Sequence, residues 1–78
     1  MTNVWLSDNT YEVRHSATGR LIWTRTVWET NGRYYMKQVS ARTGTAKLLR
    51  NDGGVFMEIA EFAEDSYDLY DYIKKGET

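Results

Sequence analysis

The chain has 78 residues, of which 41% are hydrophobic, 14% aromatic and 27% charged, with a formal net charge of −1. That length describes one small domain, 1–78, and leaves no room for a barrel enzyme or a dinucleotide fold with its substrate domain. The aromatic content separates the chain from disordered sequences; the absence of cysteine removes disulfides, thiolate zinc sites and cysteine nucleophiles.

A chain this short buries only about 60% of its unfolded surface, so a stability of a few kcal/mol is expected. No apolar run approaches the roughly 20 residues of a membrane span, and Met1–Thr10 has no secretory signal pattern. The expected compartment is therefore the cytoplasm, with no membrane partner.

Glycine turns punctuate the first two-thirds of the chain, at Ala17-Thr18-Gly19, Asn31-Gly32, Thr43-Gly44 and Asp52-Gly53-Gly54. Between them lie runs rich in Val, Ile, Thr, Tyr and Trp, the composition of strands. Asn31-Gly32 fits a type I′ turn, which needs positive φ at both central residues. A two-residue loop there pairs Thr30 with Arg33. One face of the hairpin then carries Trp28 opposite Tyr35, Thr26 opposite Lys37 and Thr24 opposite Val39. The other carries Glu29–Tyr34, Val27–Met36, Arg25–Gln38 and Trp23–Ser40. Neither face is cleanly polar, and the hairpin does not say which one is buried.

Read in the same way, Asp52-Gly53 pairs Lys47 with Glu58 and sets Leu48, Val55, Met57 and Ile59 on one apolar face. A continuous helix from Val55 also fits the spacing of Phe56, Ile59, Ala63, Tyr67 and Tyr70. The strand is preferred because the hairpin register and the Lys47–Glu58 pair agree with it. After Phe62 the period becomes helical: Phe62, Leu69 and Ile73 share one side, Asp65 or Ser66 can cap the start, and Gly76 can end the helix. The expected fold is α+β, an antiparallel meander of four to five strands with one C-terminal helix packed on a sheet face.

Charge is divided along the chain. Eight basic and three acidic side chains precede Asn51; two basic and eight acidic ones, Glu77 among them, follow from there. The two halves can attract each other within the fold, or offer surfaces to a charged partner. On the C-terminal helix, Asp65, Asp68 and Asp71 form an acidic face that could occupy a basic groove on another protein. The same acids also complement the helix dipole, and Asp71 stands four residues before Lys75. On the sheet, Trp23, Arg25, Trp28, Tyr35 and Lys37 supply the rings and cations that bind single-stranded nucleic acid or a protein, though not all on one face.

Catalytic constellations are missing from the sequence. His15, the lone histidine, has no partner on its face of a strand to orient the imidazole. The serines lie outside any nucleophile elbow, and Gly44-Thr45-Ala46-Lys47 lacks the rest of a phosphate-binding loop. Asn51-Asp52-Gly53-Gly54 reads as a hairpin turn rather than an anion cradle. The expectation is a non-enzymatic protein without cofactor or metal, a monomer or homodimer that binds a partner protein stoichiometrically. Inhibitors or adaptors of the kind phages use against host defence proteins have this general size. The alternative is a nucleic-acid-binding module that uses the basic aromatic sheet.

Overall fold

The computed structural model describes residues 1–76, so Glu77, counted above with the acidic half, lies outside the described residues. Six strands follow one another: β1 (Thr2–Trp5), β2 (Thr10–Arg14), β3 (Leu21–Thr30), β4 (Arg33–Ser40), β5 (Ala46–Asp52) and β6 (Val55–Phe62); helix α1 (Asp68–Lys74) ends the succession. The strands stand in the sheet in chain order, each antiparallel to the next, so β1 and β6 are its two unpaired edges. The meander and the C-terminal helix are as expected, but there are six strands, not four or five.

The additional strand arises because the run before Gly19 is itself folded back. Its turn carries no glycine. Instead the Ser7 hydroxyl accepts the Thr10 N–H at 3.2 Å and donates to Asn9 Oδ1 at 2.8 Å. Side-chain hydrogen bonds of this kind let Ser and Asn close a turn, and they leave a fainter mark in sequence than Asn-Gly does.

The β3–β4 hairpin has the expected register over its whole length, from Thr30↔Arg33 to Trp23↔Ser40. Asn31 and Gly32 take φ of 53° and 73°, as a type I′ turn requires. The β5–β6 hairpin departs from expectation. Its turn falls on Gly53-Gly54, and Asp52 pairs with Val55. Two glycines enter the left-handed region without the steric cost that Asp52 would meet. Arg50 clamps the Asp52 carboxylate at 3.0 Å, and Asn51 Oδ1 accepts the Gly54 N–H at 3.0 Å. Further along, Ile59 is an extra residue opposite the step from Leu48 to Leu49, a bulge in β6. Lys47 therefore lies opposite Glu61 rather than Glu58. The expected apolar face is broken as well: Leu48 is fully buried, whereas Val55 and Met57 are 62% and 56% exposed.

Residues 55–62 form the strand, and α1 begins at Asp68, later than Asp65 or Ser66, with no side-chain cap. Seven residues are too few for a helix to persist on its own propensity. Packing holds it. Leu69 and Ile73 project onto the sheet and form one core with Tyr35, Ala46 and Leu48, flanked by Trp28, Val39, Phe62, Tyr70 and Tyr72. The Tyr72 ring meets Phe62 edge-on at 6.0 Å, and Gly76, at φ 81°, lies past the helix end as expected. Because strand side chains alternate, this core occupies one face of the sheet. Among the described residues no helix or strand covers the other. Val13 and Met36 are nevertheless buried there, screened by side chains of their own face. No helix among the described residues is long and apolar enough to cross a membrane.

Candidate partner-binding surface

On the open face, the strand registers align one residue from each of the six strands into a single row. Trp5 lies opposite Tyr11, Tyr11 opposite Arg25, Arg25 opposite Gln38, Gln38 opposite Lys47, and Lys47 opposite Glu61. Neighbours in the row interact directly. The Trp5 and Tyr11 ring centroids are 4.7 Å apart. The Arg25 guanidinium lies 6.0 Å from the Tyr11 centroid and 5.0 Å from that of Trp23, two residues before it on the same face. Its Nε donates to Gln38 Oε1 at 2.8 Å. Lys47 Nζ is 3.7 Å from Glu58 and 3.8 Å from Glu61. Two acids three residues apart would face opposite sides of a regular strand, and the Ile59 bulge is what brings both to Lys47.

Arg25 thus lies against two rings, fixed by a neutral amide and a phenol (Tyr11 Oη, 3.4 Å) rather than by a carboxylate. Trp5, at the outer end of the row, is 60% exposed. Chemically, the row and Trp23 beside it offer rings that can bury apolar area on a partner, with a hydrogen-bonded cation among them and a compensated charge cluster at the far end.

The sequence-derived candidates separate into three places. Trp23 and Arg25 lie on the open face. Trp28, Tyr35 and Lys37 lie on the face under α1. Tyr35 is only 2% exposed, and the Trp28 ring packs between Tyr35 and Tyr70 at 6.0 and 5.5 Å. The Lys37 ammonium is 3.1 Å from the Asp65 carboxylate and 5.8 Å from the Tyr70 ring centroid. Partial burial pulls the Lys37 pKa down, but the hydrogen bond to Asp65 and the charges of Tyr70 and Asp65 outweigh it, and the net shift is upward. Asp65 therefore joins the α1 approach to the sheet, while Asp68 and Asp71 stand exposed on the helix, without an ion pair among the described residues.

The row also includes Trp5, Tyr11, Gln38 and Lys47, which the sequence reading did not place among the binding residues. Gln38 was legible as the cross-strand partner of Arg25. Tyr11 and Trp5 could not be found that way, because the turns at 6–9 and 15–20 that set their registers lack the Asn-Gly signature. No family model, no curated protein and no solved structure matches the chain.

Proposed function

We propose that the protein is a non-enzymatic binding protein that docks on a partner protein through the open face of its sheet and acts stoichiometrically, as an inhibitor or adaptor. The observation that carries this reading is the row of Trp5, Tyr11 and Arg25 with Trp23 beside it, ordered by its own contacts yet left uncovered by α1. Trp, Tyr and Arg are the residues that most often anchor protein interfaces. Holding them in place before binding lowers the entropic cost of association.

The distribution of charge favours a protein over a nucleic-acid strand. A phosphate backbone is followed by cations spaced along its path. Here Lys47 is already met by Glu58 and Glu61, so the row ends in carboxylates that would repel phosphate. Asp68 and Asp71 on α1 offer a second, acidic contact to the same or another partner.

The test is capture of a partner from the native host by the immobilised full chain, compared with a Trp5→Ser/Trp23→Ser variant. Removing two anchors should weaken binding by about 2 kcal/mol or more, roughly a 30-fold loss, with capture of the native chain unchanged by nuclease. Capture that survives both substitutions, or that nuclease abolishes, would overturn the proposal.

A further inference from the structure

Building on the docking face proposed above, we infer that its partner presents an acidic segment to Arg20 and Arg42, which flank Trp23 at one end of the sheet. The two arginines line a single cleft with Leu21, Ile22, Trp23 and Ala41. They differ from the other cations of the sheet in how they are satisfied. Arg14, Lys37, Lys47 and Arg50 each lie within ion-pair distance of a carboxylate, and Arg25 is hydrogen-bonded to Gln38. Arg20 and Arg42 have no ion pair among the described residues, and no acidic side chain lines their cleft. Two guanidinium groups beside an indole thus form a corner at the end of the sheet where, among the described residues, positive charge meets no carboxylate.

The backbone under both arginines is fixed. The His15 N–H donates to the Arg20 carbonyl at 2.9 Å, the Gly19 N–H to the His15 carbonyl at 2.8 Å, and Arg14 Nη1 to the Gly19 carbonyl at 2.8 Å. In the second turn, Ser40 Oγ accepts the N–H groups of Arg42 and Thr43, both at 3.3 Å. The Ala41 N–H then donates to the Ile22 carbonyl at 3.0 Å and ties that turn to β3. Binding has only the two side chains left to order, and each guanidinium fork matches a carboxylate with two parallel hydrogen bonds.

The ligand that fits is a short run of Asp or Glu with an apolar or aromatic residue for Trp23. A longer polyanion fits less well, since the neighbouring cleft, which shares Trp23 and Ser40 with this one, is lined by Glu61. The acidic segment sits at the corner, and the rest of the partner continues over the rings.

The experiment is a titration of the ¹⁵N-labelled full chain with a hexaglutamate peptide and, separately, with hexathymidylate, followed by amide and indole shifts. Hexaglutamate should shift amides of the 15–20 and 40–45 turns and the Trp23 indole, with affinity falling as salt rises. An Arg20→Gln/Arg42→Gln variant should bind it about fivefold more weakly, the loss of two exposed guanidinium–carboxylate contacts. Absence of those shifts, equal binding by the variant, or tighter binding of hexathymidylate would each overturn the assignment. Capture of the native partner separates the two proposals. If Arg20→Gln/Arg42→Gln leaves capture intact while Trp5→Ser/Trp23→Ser abolishes it, the docking face stands and the acidic segment does not. If neither variant affects capture, both proposals fall.

Discussion

Lys37 is a cation that the fold has turned inward as a joint. Its side chain is 16% exposed, against 47% for its partner Asp65, so the pair is partly screened, and its contribution stays near that of a surface ion pair. Asp65→Asn should cost about 0.5–1 kcal/mol in urea unfolding, and an unchanged midpoint would show that the pair does not tether α1. The pH dependence has a definite sign. A lysine whose folded pKa is raised contributes fully below its ordinary value of 10.5 and loses that contribution as pH climbs through the higher folded value. The stability that the charged ammonium gives the native chain over Lys37→Met should therefore shrink as pH climbs through that value. A constant difference through the alkaline range would exclude this linkage. The same residue marks the limit of reading by type. Trp23 with Arg25 and Trp28 with Lys37 are equivalent as ring-and-cation pairs, and only the parity that places Tyr35 under Leu69 and Ile73 decides which pair is covered.

At the scale of elements, local chemistry was legible wherever one turn had one solution. Asn31-Gly32 fixed eight cross-strand pairs from sequence alone. Gly32→Ala, at φ 73° with open space around it, should cost about 1 kcal/mol through backbone strain alone, measurable as a fall in Tm. No change would mean that the turn can relax out of the left-handed region. Asp52-Gly53-Gly54 offered two overlapping turns, and the preference of two glycines for positive φ selected the later one. The Ile59 bulge then altered the register again, something no periodicity announces.

The helix was legible through Leu69 and Ile73 but not in its start, because packing rather than a cap fixes its first turn. Leu69 is fully buried, and Leu69→Ala should destabilise the chain by about 2–4 kcal/mol. Amides of α1 should exchange faster than those of β3 and β4 even in the native chain, since few residues hold the helix down. Equal protection would place α1 inside the same cooperative unit as the central hairpin.

Across the whole molecule, the sequential strand order means that every sheet contact joins neighbours in the chain, a topology that closes only short loops at each step. Much of the charge division along the sequence is resolved inside the fold: Lys37 meets Asp65, and Lys47 meets Glu58 and Glu61. Arg20 and Arg42 at one end of the sheet, and Asp68 and Asp71 on α1, are among the described residues that have no ion pair. For a chain of net charge −1 arranged this way, oligo-dT should give no saturable quenching of indole fluorescence up to about 50 μM at physiological salt. Saturable micromolar quenching, weakened by Arg25→Ala, would favour the nucleic-acid module instead.

The meander never closes, and that fixes how the protein must be kept apart from its own copies. An unpaired strand edge is a template on which another strand can grow, the first step of sheet-to-sheet aggregation. The β1 edge is only four residues long and has little to offer. The β6 edge is eight residues long and carries the exposed side chains of Val55 and Met57. Two features guard it: the Ile59 bulge interrupts the straight run of backbone donors and acceptors, and Glu58 and Glu61 bring charge that an incoming strand would have to bury. Protection of this edge therefore falls to Glu61, at the charged end of the row, and to Glu58 beside it, rather than to the core. Replacing the two glutamates by valine would leave a folded protein whose edge is guarded by the bulge alone, one that should convert slowly into fibrils on storage.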